Sequence, residues 1–361
     1  MKSLTIYDPS QDDKLGSLRG AGRVASMIKE NLGDDARIVA DLDKVDASDM
    51  LLIPLWQPFQ KPLLSKRITS NQIIMIYDAI PLKYPEHFPI GLKGRWWLFK
   101  NLRALGFYDK VITISEHAKR DIAEYMEIDP KIIKVVHPTT SRIYFKPVPK
   151  PRTKIKLQKK YGIPDGKYCM YVGDTNWNKN LLNLAHAVVR SGVSCVFVGK
   201  TFSVVQDLRG KDRDEQYDFL SESPLLNHPE QRTFKEFVKL ALHDDKHFIF
   251  PGFVEDKDLV MMYRNAVCNV LISHDEGFGL SFLEAATQKC PSVLADTEIF
   301  KETAGKSAVL VDQTDPKAIS DAISKFFQVD QFRAKYSKAA HNRSKMFAPA
   351  EYKKKMLKAL Q

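Results

Sequence analysis

CNVLISHDEGFGLSFLEAATQKCPSVLAD, residues 268–296, decides the fold, because a strand, a glycine turn, a helix and a second strand follow one another in it. CNVLIS and PSVLAD are apolar almost throughout, as is typical of parallel strands covered on both faces. Between them, Gly277 and Gly279 allow a tight turn, and a helix is expected from Leu280. This order predicts part of a parallel α/β sheet.

The same alternation continues outward from this stretch in both directions. We predict strands at residues 3–8, 36–41, 50–56, 73–78, 110–115 and 133–138, and then at 168–173, 195–199, 247–252, 268–273, 291–296 and 307–312. Helical patterns cover 20–32, 93–105 and 116–126. The fold class is therefore α/β, with two Rossmann-like, doubly wound parallel-sheet domains that face each other across a cleft.

A break between the two series of strands suggests where the domains divide. YFKPVPKPRTK, residues 144–154, contains three prolines and no helical or strand period, which is typical of a linker. We therefore predict an N-terminal domain at 1–148 and a C-terminal domain at 149–343, with a charged insertion and a helix between Lys200 and Lys246. Residues 344–361 are predicted to end in an amphipathic helix that packs back toward the N-terminal domain.

Composition excludes some classes of protein and leaves others open. The 361 residues are 44% hydrophobic and contain no apolar run long enough to span a bilayer, and the N-terminus does not resemble a signal peptide, so we expect a cytoplasmic protein. The net charge of +11 favours anionic partners. Much of it lies in the basic stretch 146–160, which is either a solvated linker or a functional surface.

Neither the cysteines nor the histidines predict a metal site. The four cysteines are widely spaced in apolar runs and are interpreted as reduced core residues: Cys169, Cys195, Cys268 and Cys290. His243 and His247 have the spacing of a zinc helix, but Asp244 replaces the glutamate that a metalloprotease needs, and HFIF is predicted as a strand.

The turn EGFG offers the chemistry of an anion site flanked by carboxylates. A helix N-terminus presents N–H groups and partial positive charge, which suit a phosphate. Glu284 lies one turn into the helix, where its carboxylate can accept hydrogen bonds from vicinal hydroxyls. Glu276 lies at the strand end on the other side of the phosphate position. Two carboxylates around an anion suit ribose at one end and a sugar at the other.

EGFGLSFLE, residues 276–284, resembles the E-x7-E signature of family 4 of the retaining glycosyltransferases, whose two-domain architecture is called GT-B. The resemblance extends over nearly the whole chain. It includes RGAGRVASMIKENL (19–32), YDAIPLKYPEHFP (77–89), VITISEHAKRDI (111–122), YVGDTNWNKN (171–180) and FPGFVEDKDLVMMYRNA (250–266).

The resemblance implies roles for the matched residues. Glu276, Lys179 and Asp78 would be the catalytic residues, with Glu276 at the transferred sugar and Asp78 in the acceptor cleft. The donor diphosphate would contact Lys179 and the turn from Gly277 through Phe278 and Gly279 to Leu280, together with a loop containing Gly20, Gly22 and Arg23. The nucleoside would contact Glu284, Phe253 and Val254. No metal and no cofactor is expected besides the nucleotide-sugar substrate, linked to UDP or GDP.

Some positions depart from the family pattern. Asp174 and Asn178 stand where relatives often place a phosphate-binding arginine, and Tyr77 stands in place of a histidine. Lys289 replaces a glycine that usually follows the signature helix, which we interpret as a different turn. Diphosphate neutralisation would then rest on Lys179, the helix N-terminus and Arg23.

The predicted function is the retaining, metal-independent transfer of a hexose from a nucleotide sugar to a glycan or lipid-linked acceptor in cell-surface polysaccharide or glycolipid assembly. The alternatives are a nucleotide-sugar epimerase of the same fold and a non-catalytic basic binding protein; no nucleic-acid motif is present. A dinucleotide oxidoreductase is disfavoured, since Gly20 and Gly22 lack the third glycine of that fingerprint.

The basic, aromatic segment GLKGRWWLFKNLR, residues 91–103, leaves two interpretations open. In the favoured one, Trp96, Leu98 and Phe99 pack inward on an amphipathic helix. In the other, the helix docks on anionic lipid at the inner face of the cell membrane.

Overall fold

The computed structural model describes residues 4–9, 20–146, 153–244 and 246–361, with the backbone alone at 20–24, 153–156 and 225. The chain divides into two units. Unit 1 comprises the described residues up to Pro138 together with Pro349–Gln361, and unit 2 comprises those of Thr139–Ala348. The sequence predicted these divisions at 148/149 and 343/344 instead.

Unit 1 is built on a six-stranded parallel sheet. Its strands are β1 (Leu4–Tyr7), β2 (Ala36–Val39), β3 (Met50–Ile53), β4 (Asn71–Met75), β5 (Lys110–Thr113) and β6 (Ile133–Val135), in the order β2-β1-β3-β4-β5-β6. The helices between them are α1 (Gly20–Leu32), α2 (Ile80–Lys83), α3 (Leu92–Ala104) and α4 (Glu116–Tyr125). The three helices predicted for this half are confirmed within one residue at each end.

Unit 2 contains a second six-stranded parallel sheet. Its strands are β7 (Tyr168–Val172), β8 (Ser194–Val198), β9 (Phe248–Gly252), β10 (Cys268–Leu271), β11 (Ser292–Ala295) and β12 (Val309–Val311), in the order β12-β11-β10-β7-β8-β9. Its helices are α5 (Thr153–Tyr161), α6 (Leu181–Ser191), α7 (Ser203–Arg209), α8 (Arg213–Glu222), α9 (Pro224–Asn227), α10 (Arg232–Leu242), α11 (Asp256–Asn265), α12 (Leu280–Thr287), α13 (Glu298–Thr303), α14 (Pro316–Gln328) and α15 (Asp330–Ser344). Each predicted strand is present, and the α/β class of two doubly wound sheets is confirmed.

The insertion between Lys200 and Lys246 folds as helices α7 to α10. Helix α10 is strongly amphipathic and buries Phe234 and Phe237 against the sheet. Phe237 contacts Phe197 of β8 edge-on, with ring centroids 5.0 Å apart. Aromatic pairs of this kind contribute about 0.5–1.5 kcal/mol beyond their buried area. The insertion is therefore part of the core of unit 2.

The final helix, α16 (Pro349–Leu360), belongs to unit 1. It buries Tyr352, Met356 and Leu360 in the same cluster as α1 and β1. The Lys353 ammonium donates to the carbonyl of Leu32 at 3.2 Å and pairs with a nearby aspartate. The predicted amphipathic helix is thus present and packs against the N-terminal part of the chain.

Helix α3 corrects the favoured interpretation of its aromatic residues. Trp96 and Phe99 are 54% and 48% exposed rather than packed inward. Leu98 does pack against the core of unit 1. The helix is anchored by Asn101, whose buried amide donates to the carbonyls of Pro58 and Gln60 at 3.1 and 2.7 Å. Because Asn101 fixes which side faces inward, the tryptophan and phenylalanine are turned outward.

The segment predicted as a linker is partly regular structure. Residues Arg142–Phe145 form a 3-10 turn whose Tyr144 is buried beside Tyr263, with ring centroids 6.5 Å apart. This packing explains why unit 2 begins before the prolines. Residues 147–152, with Lys150 and Arg152 of the basic stretch, lie outside the described residues. Further along, Lys160 lies on α5 and pairs with Asp258 at 2.8 Å.

The four cysteines are buried and unpaired, as predicted. Cys169 is the neighbour of Cys195 on one side and of Cys268 on the other, in the three central strands of unit 2. Burial raises the pKa of the Cys195 and Cys268 thiols well above their usual value. They are therefore inert core residues.

Candidate active site

The candidate site lies where the strand order of unit 2 reverses. β7 comes first along the chain, β8 and β9 lie on one side of it, and β10 to β12 lie on the other. The carboxyl ends of β7 and β10 therefore border a crevice, which is where doubly wound sheets bind ligands. The loops that leave these ends, 173–180 and 272–279, carry Lys179 and Glu276.

The loop after β7 presents Lys179 from a well-anchored backbone. Lys179 ends a 3-10 turn, and Asn180 follows in the left-handed conformation, with φ of 55°. Asparagine tolerates this conformation better than most residues. Its side-chain amide donates to the carbonyls of Ile272 at 3.0 Å and Gln313 at 2.7 Å. These bonds fix the point at which α6 begins.

Asn178 joins the two loops to each other. Its backbone carbonyl accepts from the N–H of His274 at 2.8 Å, and its side-chain amide donates to the carbonyl of Asp275 at 3.1 Å. The rings of Trp177 and His274 stack over the junction with centroids 4.8 Å apart. Asn178 therefore holds the two loops together through its backbone and its side chain.

Lys179 and Glu276 meet in a mostly buried ion pair. The Lys179 ammonium lies 2.8 Å from Oε1 of Glu276, and the two side chains are 19% and 11% exposed. The hydroxyl of Ser273 donates to the same oxygen at 2.7 Å. Lys179 is the only lysine or arginine in the two loops. The structure thus brings the two predicted catalytic residues of this unit together.

The turn between β10 and α12 requires glycine at Gly279. Its φ is +87°, and a Cβ there would lie 2.6 Å from Cε1 of Phe300. Helix α12 has no side-chain hydrogen bond at its N-cap. Phe278 is buried, and its ring contacts that of Phe347 edge-on with centroids 5.3 Å apart. Only the backbone of Phe278 is therefore available to bind a ligand. The helix N-terminus lies beside Glu276 and is suited to an anion.

Glu284 is held one turn into α12 by a residue that the sequence did not single out. The buried phenol of Tyr263, on α11, donates to Oε2 of Glu284 at 3.2 Å. Burial and the negative charge of Glu284 raise the pKa of Tyr263 well above its usual value, so the phenol remains a donor. The carboxylate is therefore oriented by the protein.

Phe253 and Val254 follow β9 and have different environments. Phe253 is 72% exposed, whereas Val254 is buried in the core beside α11. Only the phenylalanine side chain, together with the backbone of the pair, is available to a base.

Asp78, a predicted site residue, and its neighbour Tyr77 lie just after β4. Oδ1 of Asp78 accepts from the N–H of Ile80, the first residue of α2, at 3.1 Å. The hydroxyl of Tyr77 donates to the carbonyl of Pro54 at 3.1 Å, and burial raises the pKa of this phenol. Tyr77 is therefore hydrogen-bonded to the backbone of unit 1.

The predicted glycine loop of unit 1 is instead the start of a helix. Gly20 and Gly22 lie in the first turn of α1. The side chain of Arg23 lies outside the described part of the chain. The helix itself begins and ends where its sequence pattern predicted.

The insertion also supplies a supporting residue, Gln231, which no sequence motif indicates. Gln231 accepts from the hydroxyl of Thr175 at 3.0 Å and donates to Oδ1 of Asn176 at 3.2 Å. It thereby braces the loop that carries Lys179. Neither Gln231 nor Tyr263 had a recognisable signal, since each acts through tertiary contacts with residues far away in sequence.

More than half of the chain matches one known protein family. Residues 153–343 match the family described as Glycosyl transferases group 1. The chain belongs to this family. The matched region contains the whole of the site built from the loops after β7 and β10.

Two curated relatives of this group 1 glycosyltransferase share low sequence identity with it. It is 23% identical over 262 residues to the O-antigen chain mannosyltransferase RfbU of Salmonella typhimurium, covering 73% of this chain and 62% of that protein. It is also 23% identical over 273 residues to the O-antigen chain mannosyltransferase B of Escherichia coli, covering 75% of this chain and 63% of the relative. The chain thus spans less than two thirds of these curated relatives.

A solved structure supports the fold over the full chain. HepE of Anabaena, crystallised with UDP and glucose, superposes with a TM-score of 0.68 at 16% identity, covering 100% of this chain and 99% of HepE. At this identity the likeness concerns the fold alone. Within the described residues, no helix has both the length and the apolar character to cross a bilayer.

Proposed function

We propose that this family member transfers a hexose, which we take to be mannose, from a UDP- or GDP-linked donor to a glycan or lipid-linked acceptor in cell-surface polysaccharide assembly. One observation carries the proposal: Lys179 and Glu276 meet at 2.8 Å at the strand-order reversal, beside the N-terminus of α12. The relatives named as O-antigen mannosyltransferases support mannose and the acceptor class. HepE, solved with UDP and glucose, supports a nucleotide donor.

The arrangement suits stabilisation of a departing diphosphate. As the bond from sugar to phosphate breaks, negative charge grows on the leaving group. N–H groups of the Gly277–Leu280 turn and the Lys179 ammonium would face that charge, an effect in which one donor contributes about 10²–10³ in rate. Glu276, which pairs with Lys179 in this structure, would then bind hydroxyls of the transferred sugar.

The second carboxylate suits the nucleoside end of the donor. Glu284 lies one turn further along α12, with its carboxylate oriented by Tyr263. A carboxylate in this position can accept hydrogen bonds from both ribose hydroxyls. Such charge-assisted bonds contribute about 1.5–3 kcal/mol each. Because Glu276 lies in the loop before α12 and Glu284 lies within the helix, sugar recognition and ribose recognition would be separated.

We also propose that transfer retains the anomeric configuration and needs no metal. Support for retention comes from the resemblance of residues 276–284 to the signature of the retaining family. Support for metal independence comes from the charges at the site, because a lysine and a helix N-terminus supply positive charge to the diphosphate.

The test is acceptor-dependent release of nucleoside diphosphate. The protein is incubated with GDP-mannose, UDP-mannose or UDP-glucose, with and without a mannose-terminated lipid-linked oligosaccharide, and in the presence or absence of EDTA. We expect nucleoside diphosphate to be released only when acceptor is present, and EDTA to leave this release unchanged. We also expect NMR to show an α-linked product. Lys317→Ala is a matched control for Lys179→Ala, because Lys317 also pairs with a carboxylate at 2.8 Å but lies on the surface.

The same assay separates the alternatives. A nucleotide-sugar epimerase would convert the donor without acceptor and without lasting release of nucleotide. A non-catalytic basic protein would neither convert nor bind any donor. Either result, in a folded protein, would contradict the proposed transfer.

We further propose that the protein works in the cytoplasm at the inner face of the membrane, with α3 as its contact. The exposed face of this helix carries Trp96 and Phe99, and no acidic residue lies in α3. Lys100 stacks on Trp96 and Arg103 on Phe99, at 4.8 and 5.3 Å from the ring centroids. Aromatic rings next to cations match an anionic lipid surface.

Vesicle sedimentation tests this contact. The protein should pellet with vesicles containing phosphatidylglycerol and stay in the supernatant with pure phosphatidylcholine. Trp96→Ala combined with Phe99→Ala should reduce binding at least fivefold. Tyr217→Ala is the control, since Tyr217 is more exposed, at 72%, but lies on α8 of unit 2. Unchanged binding of the double variant would exclude α3 as the docking surface.

A further inference from the structure

A second cavity of unit 2 lies away from the glycine turn. It has a volume of about 630 Å³ and is bordered by the 3-10 turn Arg142–Phe145, the ends of α11 and α12, and α15. Its lining residues are Tyr144, Phe145, Lys146, Arg264, Thr287, Gln288, Lys289, His341, Ser344, Lys345 and Ala348. Helix α12 has its N-terminus at the proposed donor site and its C-terminus at this cavity, and its eight residues span about 12 Å.

The lining of this cavity is strongly basic. Four of its lining residues carry a positive charge: Lys146, Arg264, Lys289 and Lys345. No aspartate or glutamate lies among the lining residues that the structure describes. None of the four basic side chains forms an ion pair with a described residue, in contrast to Lys160 and Lys179 of the same unit. Concentrated charge of one sign in a concave site favours an anionic ligand.

Arg264 is exposed to solvent, but one edge of its guanidinium is held in position. Its Nε donates to Oε1 of Gln288 at 2.8 Å. Gln288 is buried, and its amide nitrogen donates to the carbonyl of Tyr144 and to the hydroxyl of Thr287. The terminal nitrogens of the guanidinium make no hydrogen bond to a described residue. A guanidinium fixed through Nε presents those nitrogens in the geometry that binds phosphate or carboxylate oxygens.

Lys289 occupies a backbone conformation that disfavours lysine. Its φ is 61°, and its carbonyl accepts from the hydroxyl of Ser337 at 2.6 Å. A left-handed residue other than glycine costs about 1–2 kcal/mol. The interpretation of a different turn is therefore wrong, because the left-handed turn that glycine favours is kept. Lys289 is exposed and lines the cavity, in a backbone conformation that is strained for lysine.

We propose that this cavity binds a phosphorylated small molecule of sugar-phosphate size, independently of the proposed donor site. The volume lies within the range of about 300–1,000 Å³ that is usual for small-molecule sites. The fixed guanidinium of Arg264 and the ammonium of Lys289 bind the phosphate oxygens, and Lys146 and Lys345 balance its second charge. Thr287 and Ser344, which line the same cavity, lie near the remainder of the ligand.

The test uses glucose 1-phosphate as the probe, with glucose as the uncharged control. Thermal unfolding first shows whether UDP or GDP raises the melting temperature of the protein. Isothermal titration is then done at 0.15 M KCl with that nucleotide at a saturating concentration, so that the donor site is filled. One equivalent of glucose 1-phosphate is expected to bind, and glucose is not. Lys289→Gly should weaken this binding at least tenfold without loss of stability, because glycine is unstrained at this φ. Lys289→Arg should restore it.

Two controls make the result decisive. Lys179→Ala should leave the binding of glucose 1-phosphate unchanged, and Lys289→Gly should leave nucleotide binding unchanged. If glucose 1-phosphate binds without the nucleotide but not in its presence, the two compete for the donor site, and the proposal is overturned. Equal affinity in wild type and Lys289→Gly would also overturn it, as would weak binding without a defined stoichiometry, which is the behaviour of a basic surface.

Discussion

The ion pair between Lys179 and Glu276 predicts opposite effects of removing its two partners. In the unliganded protein, Glu276 holds the ammonium at 2.8 Å, so a diphosphate must compete with this carboxylate. Lys179→Ala removes the cation that the diphosphate needs. Glu276→Ala removes the competitor and leaves the cation available. We therefore expect nucleoside diphosphate to bind more weakly to the first variant and more tightly to the second.

The size of the effect follows from the burial of the pair. At 19% and 11% exposure, the pair lies between surface pairs, which contribute about 0–1 kcal/mol, and fully buried ones, whose disruption costs about 3–5 kcal/mol. We therefore expect a coupling free energy of about 1–3 kcal/mol between Lys179 and Glu276. A tightening of about tenfold in Glu276→Ala would correspond to 1.4 kcal/mol. Turnover should nevertheless fall in both variants, by about 10²–10³ in Lys179→Ala.

Three measurements on the same proteins test this reasoning. Isothermal titration gives the affinity for nucleoside diphosphate, and the transfer assay gives kcat. Thermal unfolding of both single variants and the double variant gives the coupling, with about 2–4 °C expected per kcal/mol for a domain of this size. Ser273 remains beside Glu276 in Lys179→Ala and donates one hydrogen bond, which limits the loss of stability.

If Glu276→Ala weakens nucleotide binding as much as Lys179→Ala does, then Glu276 does not compete with the diphosphate for the Lys179 ammonium, and this reasoning is refuted. Both residues would then hold the nucleotide directly. Wild-type turnover in Lys179→Ala would contradict the assignment of the site itself, whatever the binding data show.

Three further predictions concern the same unit. Glu284→Ala should weaken donor binding about 10- to 100-fold with a smaller effect on kcat, since it removes charged hydrogen bonds to ribose; unchanged affinity in calorimetry would count against that role. Gly279→Ala should destabilise the protein by about 2–4 kcal/mol in urea unfolding, because φ is +87° and the new Cβ would meet Phe300. Gly210→Ala, where a Cβ has room, is its control. The buried Cys268 thiol, whose pKa is raised by burial, should react with Ellman's reagent only after unfolding; rapid labelling of the native protein would disprove this.

The strands were predictable because most of them are apolar runs followed by a turn signal. YCMYV, for example, is β7 and is buried along almost its whole length. The order of the strands was not predictable in the same way. Pairing of β10 with β7, rather than with β9, depends on contacts between segments that are far apart in sequence. That order places Lys179 next to Glu276.

The orientation of α3 could not be derived from its apolar pattern. Four apolar residues in a row, Trp96 to Phe99, allow either side of the helix to face inward. The choice is made by Asn101, a polar residue that finds its hydrogen-bond partners inside the protein. Polar residues are expected outside, so the sequence pattern favoured the wrong face.

The site was predictable where a short motif carries it and hidden where distant residues support it. Glu276, Gly279 and Glu284 fall within nine consecutive residues with a recognisable spacing. Tyr263 and Gln231 reach the site from other helices, and nothing near them in sequence indicates a ligand. Their roles emerge only from packing.

The place of α16 in unit 1 has a consequence for how the protein folds as it is synthesised. Unit 2 is one continuous stretch of chain, whereas unit 1 is completed by residues that leave the ribosome after all of unit 2. Although β1 and α1 are made before unit 2, the cluster that Tyr352 and Met356 fill stays open until α16 has been made. Unit 2 should therefore reach its native state first, and a nascent chain stalled before residue 349 should expose the apolar surface of unit 1 to chaperones.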